Sequence, residues 1–319
     1  MGWYAHSKRD LPWRRTKDPY LIWISEVMLQ QTRVAAALPY FERFIQRFPA
    51  VQDLAAAPES DVLHAWAGLG YYSRARNLRE AARLIIGLGA FPNDYDCLRA
   101  LPGIGDYTAA AVGSIAFGLP YAAIDGNALR VLSRVTAEPG DIGLPAIRER
   151  LTAVAKKWLD RKQPGDFNQA VMELGATICL PQSPHCSKCP LARQCEAHAT
   201  RREEQYPVKL RKAERNEAHE TLYYIEHDGD ILLWQRPPDS DRLAGFWELP
   251  GPLQLADVSH AEEAGRFRHS IVNTTYNFTV VRATASAVPQ GLSWVTKASL
   301  DAIPLSTTAR KAMLCVEVD

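Results

Sequence analysis

Residues 101–117 read LPGIGDYTAAAVGSIAF, and the reading of this stretch decides the fold. Leu101-Pro102-Gly103-Ile104-Gly105 is a glycine-punctuated turn that feeds a new helix. Its glycines permit positive φ and close backbone approach, so the N–H groups at the helix start can face a phosphate. By itself such a turn serves equally well as an ordinary helix–helix connection. Around it the texture is helical: from about residue 20 to 180 apolar residues recur at i, i+3, i+4 spacing, as in LIWISEVMLQQTRVAAALPYFERFIQRF at 21–48, and strand signals are almost absent. After residue 218 the pattern changes. TLYYIEHDGDILLWQRP at 221–237 is two β-rich runs joined by Asp228-Gly229, the signature of a hairpin. The expected architecture is a mostly α domain over 1–200, an exposed charged linker over 201–217 and an α+β domain over 218–319.

At 319 residues the chain is too long for one compact core, and 47% apolar with 23% charged residues is ordinary globular composition. No apolar run reaches the eighteen or so residues of a membrane span, so no membrane partner is expected. The start, MGWYAHSKRDLPW, carries no secretory h-region, which points to a cytoplasmic, nucleoid-associated protein. The net charge of +1 conceals an asymmetry. Up to residue 215 there are 29 Lys and Arg against 22 Asp and Glu; beyond it there are 8 against 14. A basic N-terminal part suits a polyanion.

Four of the six cysteines, Cys179, Cys186, Cys189 and Cys195, form a C-x6-C-x2-C-x5-C pattern, while Cys97 and Cys315 stand apart. A reducing cytoplasm disfavours disulfides, and cysteines separated by Pro, Ser and Lys are not a core stripe. Four thiolates hold either zinc or an iron–sulfur cluster, and this spacing is not a ferredoxin pattern, so the chemistry leaves the metal open. Glu26 lies among apolar residues in LIWISEVML. If buried, its carboxyl pKa rises toward what a general acid near neutral pH requires; the alternative is a Glu on the exposed stripe of an amphipathic helix. Asp125-Gly126-Asn127 reads as a turn or helix cap, roles Asp and Asn fill in most proteins.

The cysteine spacing after a helical region, together with LPGIG and Asp125 at a fixed distance beyond it, resembles the helix-hairpin-helix endonuclease III superfamily. SEVMLQQT at 25–32 and GLGYYSRARN at 68–77 resemble the adenine-specific DNA glycosylases of the MutY type within it. The resemblance implies a 4Fe-4S cluster on the four cysteines, with Lys188 and Arg193 of its loop facing the DNA backbone. It implies that Gly103 and Gly105 bring backbone N–H groups to a phosphate, which positions the enzyme without reading sequence. Glu26 would then protonate adenine N7. Asp125 would stabilise the positively charged sugar or bond to it transiently, with Asn127 orienting Asp125 or a water. Tyr107 stands where lyase-competent relatives place a lysine, and tyrosine forms no Schiff base, so base removal without strand cleavage is expected.

Adenine must leave the stack before it can react. Gln31 and Tyr71 resemble the family's inserting residues, and Arg74 and Arg76 follow on a basic helix. Arg9 and Gln169 match positions near the flipped adenine, and Arg14 is expected on a phosphate. GDILLWQRP at 229–237 and GFWELPG at 245–251 resemble the Nudix-like domain with which the family recognises 8-oxoguanine. No metal-binding Nudix helix follows, so nucleotide hydrolysis is not expected. Phe267-Arg268-His269 is present, but the Phe-Ser-His loop that senses the lesion reads Ile271-Val272-Asn273 here, leaving Ser270 and Asn273, or Thr274 and Thr275, as the polar candidates. Leu129 replaces a Lys of some relatives, removing one DNA contact. The expected partner is double-stranded DNA carrying an adenine mispair, bound by a monomer. The rivals are a mismatch thymine glycosylase, which does not need Glu26 in its role; an endonuclease III-like lyase, opposed by Tyr107; and a redox-responsive DNA-binding protein without catalysis, which would require loss of a carboxylate.

Overall fold

The computed structural model describes residues 1–210, 216–240, 242–271, 273–285 and 287–316. Its principal helices are α1 (Pro19–Leu29), α2 (Val34–Arg47), α3 (Glu59–Trp66), α4 (Ser73–Gly87), α5 (Tyr95–Arg99), α6 (Asp106–Phe117), α7 (Gly126–Val135), α8 (Pro145–Trp158), α9 (Pro164–Thr177) and α10 (Thr307–Val316). The strands are β1 (Asn216–Tyr224), β2 (Glu226–His227), β3 (Asp230–Gln235), β4 (Trp247–Glu248), β5 (Val258–Ile271), β6 (Thr274–Ala285) and β7 (Leu292–Thr296). The described residues fall into two compact units, one within Met1–Ala55 and Glu80–Lys212, the other within Ala56–Arg79 and Ala213–Asp319. The second unit thus takes α3 and the start of α4 from the helical part of the chain, a division that no change of composition marks.

In the first unit α1 starts where Asp18 accepts a hydrogen bond from Tyr20 N and Pro19 occupies the first turn. Tyr20 and every residue from Ile22 to Met28 are buried. A helix buried on all sides is a central one, so Glu26 has no exposed stripe to occupy. The turn before α6 needs glycine at Gly103, whose φ is +74°. Gly105 instead has extended backbone and opens the helix without a side chain at its start. α9 lies against α6 and α7 so closely that a Cβ on Gly175 would come within 2.6 Å of Asn127 Cβ. The charged stretch beyond residue 200 is held to this unit as far as residue 208: Arg134 Nε donates to the carbonyls of Glu203 and Tyr206, and Ile142 N donates to Val208 O. Residues 211–215, within the stretch read as a linker, lie outside the described residues.

The second unit is α+β. β1 runs parallel to β6, which pairs antiparallel with the 14-residue β5. A second sheet places β3 between β4 and β7, with β2 joined to β3 across Asp228 and Gly229. Both turn residues have positive φ, +50° and +85°, as a two-residue hairpin demands. β3 is buried on both faces. Ile231 and Leu233 pack with Val280, Leu305 and α10, while Leu232 packs with Ile225, Leu255 and Ala283. Among the described residues no helix is long and apolar enough to cross a membrane.

Candidate active site

Glu26, on α1, is 6% exposed, and its Oε2 accepts a 2.6 Å hydrogen bond from Tyr107 Oη on α6. Burial pushes the Glu26 carboxyl up to about 7; the Asp125 charge adds to the rise, while the Tyr107 hydrogen bond and the Arg14 charge oppose it. Burial and the neighbouring Glu26 push the Tyr107 phenol in the same direction, so it stays neutral and donates. The carboxyl therefore keeps a proton to a higher pH than an exposed Glu would. Because Oε2 accepts from the phenol, a proton on this carboxyl belongs on Oε1.

Asp125 caps α7. Oδ1 accepts from Ala128 N at 2.7 Å and Oδ2 from Asn127 Nδ2 at 2.8 Å, so each carboxylate oxygen is fixed by a donor. Asn127 is itself held: Arg130 Nη2 donates to Asn127 Oδ1 and to Gly175 O, both at 2.8 Å, and Arg130 Nε donates to Cys179 O at 2.8 Å. The cap interaction orients the carboxylate.

Arg9 and Arg14 converge on Glu173 of α9. Arg9 Nε and Nη2 donate to its two oxygens at 2.9 and 2.7 Å, and Arg14 Nη2 donates to Oε2 at 2.8 Å. Burial alone would raise the Glu173 pKa, but the hydrogen bonds from Arg9 and Arg14 outweigh it and hold the carboxyl at about 2. Arg14, expected on a phosphate, has a side chain only 10% exposed and committed to Glu173. Gln169 is buried four residues before Glu173 on the same face of α9. Glu173 and Arg130 escaped the sequence reading. For Glu173 the signal was an acidic residue inside the apolar run AVMELGA, one helical turn after Gln169.

Gln31 and Tyr71 are both exposed and both hold left-handed backbone, with φ of +58° and +48°. For residues with a Cβ this conformation costs roughly 1–2 kcal/mol each, which surrounding contacts must offset. Arg74 is not a surface cation. It is 9% exposed, donates to the carbonyls of Leu69 and Gly70, and burial draws its pKa down to about 10. Leu129 is likewise buried, packed with Leu132, Ile147 and Leu151, which leaves no surface group at that position.

Cys179, Cys186, Cys189 and Cys195 line one pocket with Val131, Arg134, Leu174 and Leu191. Arg134, almost fully buried, donates to Cys179 Sγ at 3.3 Å and to the carbonyls of Leu180 and Pro181. Burial pushes the Cys186 thiol up to about 11 and raises Cys189 and Cys195, so bare thiolates are disfavoured there unless a cation takes them. Among the described residues no three of these sulfurs lie within 4.8 Å of one another; the one metal-ligand trio at that spacing is Cys186, His198 and Glu203. Tetrahedral zinc would draw its sulfurs to about 3.8 Å apart. Lys188 and Arg193 are exposed on the turns between the cysteines, and Gly103 and Gly105 are exposed before α6.

In the second unit Ser270 pairs with Thr275 across the β5–β6 hairpin, their hydroxyls 3.2 Å apart, and Asn273 is exposed at its turn. Asn273 O accepts from Asn216 N at 2.9 Å. Val272, on which the reading of the altered loop turned, lies outside the described residues.

The profile of a family described as HhH-GPD superfamily base excision DNA repair protein matches residues 24–158, which span Glu26, Tyr107 and Asp125. The adenine DNA glycosylase of Homo sapiens is 35% identical, covering 98% of this chain and 72% of its own. A thermostable thymine-DNA glycosylase of known structure superposes with a TM-score of 0.57 at 30% identity over 62% of this chain and 93% of its own. Endonuclease III in a non-covalent complex with DNA gives 0.53 at 25% identity over 63% and 92%.

Proposed function

This chain belongs to the adenine DNA glycosylase family of base excision repair, and from that premise we propose that it removes adenine mispaired with 8-oxoguanine or guanine and leaves the sugar–phosphate backbone uncut. The observation that carries the reading is Glu26: a carboxyl buried on a central apolar helix, with a pKa of about 7, hydrogen-bonded to a tyrosine at the position where lyase relatives carry lysine.

The steps follow from the geometry. Glu26 Oε1 gives its proton to N7 of the extruded adenine, so the base leaves neutral. Positive charge then develops on the sugar. Asp125 faces that charge with carboxylate oxygens already oriented by Ala128 N and Asn127, so little reorganisation is needed at the moment of reaction. Water completes hydrolysis. Glu26, now ionised, is placed to receive the proton that the water gives up. Tyr107 has no amine with which to attack the sugar, and its hydroxyl is spent on Glu26. Gln169 and Arg9 are the groups proposed beside the extruded base, with Glu173, itself fully buried, holding Arg9 in place. Gln31 and Tyr71 fill the gap in the duplex.

The four cysteines suit a 4Fe-4S cluster, since they line one pocket while no three of their sulfurs are gathered within 4.8 Å as around a single tetrahedral ion. Cys179, Cys186, Cys189 and Cys195 would hold it, and it would supply structural cross-linking of the loop that carries Lys188 and Arg193 rather than a step of bond cleavage. The enzyme acts as a monomer in the cytoplasm, on the nucleoid.

The test is single-turnover excision on duplexes with adenine opposite 8-oxoguanine, guanine and cytosine, each analysed with and without alkali. Alkali-dependent cleavage of the first two is expected. Strand cutting without alkali, or release of thymine from a thymine–guanine mispair in preference to adenine, overturns the reading. With Val272 in place of a lesion-sensing serine, one hydrogen bond to the oxidised base is lost, and the preference for 8-oxoguanine over guanine is expected to shrink about tenfold.

A further inference from the structure

Tyr71 stands at the tip of a loop whose shape its neighbours impose. Tyr72 points inward, with its ring 4.1 Å from that of Phe246 and tilted by 47°, and its hydroxyl accepts from Gly68 N at 3.3 Å. Arg74 braces the same loop, its guanidinium 5.3 Å from the Trp66 ring and 5.6 Å from that of Tyr71. One turn along α4, Arg76 donates to the carbonyl of Ala244 and, at 2.7 Å, to Glu59. Phe246 is fully buried, and its own turn is closed by backbone bonds of 2.9 Å to Leu243 and Arg236. These residues all belong to the second unit. Tyr71 is therefore flanked by residues that rest on Ala244 and Phe246: Tyr72 on the Phe246 ring and Arg76 on the Ala244 carbonyl, at the start of the GFWELPG segment that resembles an opposite-base reader.

We propose that Phe246 is a positioning residue for Tyr71, so that the C-terminal region takes part in extruding adenine as well as in recognising its partner. A non-glycine residue at φ +48° relaxes to extended or right-handed backbone unless packing holds it. Here the packing is the Tyr72 ring on Phe246, and the hydroxyl of Tyr72 that ties down Gly68. Without the Phe246 ring Tyr72 loses its seat. The Gly68 to Tyr72 loop then samples other shapes, and Tyr71 meets the duplex in the wrong pose. The inference rests on the proposed function, in which Tyr71 fills the gap left by adenine.

The test uses the full chain with its metal site loaded and 2-aminopurine in place of adenine, opposite guanine in one duplex and opposite a stable abasic analogue in another. The second duplex has no opposite base to read. Phe246→Leu and Tyr72→Leu are expected to slow the fluorescence rise of extrusion, and the excision of adenine, about tenfold in both duplexes, the scale of one aromatic packing pair, with duplex affinity little changed. Tyr72→Phe keeps the ring and should recover most of the rate. Phe278→Leu, the same change elsewhere in the second unit, should extrude normally. Normal extrusion by Phe246→Leu opposite the abasic analogue, with a defect confined to guanine, would overturn the proposal by restricting Phe246 to opposite-base reading. A Phe246→Leu chain that melts early beside a Tyr72→Leu chain that extrudes normally would overturn it too. Failure of the wild-type chain to excise any adenine would sink the proposed function instead, and the fluorescence readout would still measure Tyr71.

Discussion

Glu26 and Glu173 are both buried carboxylates of the first unit, one on α1 and the other on α9, and their surroundings drive them to opposite states of protonation. Around Glu26 the walls are apolar and the direct hydrogen-bond donor is a neutral phenol, which cannot repay the loss of water around a charge. Around Glu173 two guanidinium groups supply three hydrogen bonds and the Arg9 backbone N–H a fourth, and the charge is more than repaid. Burial alone says nothing about the role of a carboxylate. The partner decides: Glu26 is left holding a proton to a higher pH, while Glu173 stores a negative charge that clamps Arg9 and Arg14.

The largest effect should come from Glu26→Gln. It removes the proton donor while keeping size and polarity, so the single-turnover excision rate should fall about a thousandfold or more while duplex binding stays within about tenfold. The same variant should be no less stable than wild type at pH 8, because it removes a carboxylate that is costly to ionise; a large loss of melting temperature there would make Glu26 structural. Glu173→Gln should do the reverse in stability. Leaving the Arg14 guanidinium buried without its anion should cost about 3 kcal/mol in a denaturant titration, with little added by Arg9, whose side chain is 38% exposed and screened by water. Equal stability losses in the two variants would break the contrast between the sites.

The pH dependence sharpens it further. Glu26 has a folded pKa above the ordinary 4.5, so the native state holds a proton that the unfolded chain releases, and its contribution to stability is lost as pH rises from about 4.5 through about 7. Glu173 has the opposite sign: its contribution is present above about 4.5 and is lost as pH falls toward about 2. Excision should accordingly decline about tenfold per pH unit above about 7, as the acid ionises. A rate that stays flat to pH 9 would remove Glu26 from the role of acid. The smallest effect is expected for Tyr107→Phe. It removes the hydrogen bond that lowers the Glu26 pKa, and the alkaline limb should move up by about one pH unit. A shift downward would show that the phenol was not stabilising the carboxylate.

Much of this site is legible in the chain because it rests on local chemistry. Asp125 is readable as a helix cap since Asp followed by Gly-Asn is what a cap requires, and the cap fixes the orientation of its carboxylate. The hairpin at Asp228-Gly229 and the left-handed Gly103 follow from backbone sterics that act over a few residues. Glu26 was harder. Its neighbours in sequence are apolar, but only the packing around α1 removes the alternative of an exposed stripe, because periodicity cannot tell a helix buried on all sides from one with a narrow polar face.

The amino-acid sequence by itself determined the helical and α+β parts, the four-cysteine pattern, the two carboxylates and the absence of a lysine at position 107, since each depends on residue type and short-range spacing. Tertiary structure decided what those residues meet. It turned Arg14, expected on a phosphate, and Arg74, read on a basic helix, into buried braces, brought Glu173 to Arg9 across 164 positions of sequence, and seated Tyr72 on Phe246 within a unit whose bounds composition does not mark. The physical reason is common to all three. Burial and charge pairing are properties of a neighbourhood in space, and a guanidinium or a ring carries no sign in sequence of which distant carboxylate, carbonyl or aromatic face will hold it.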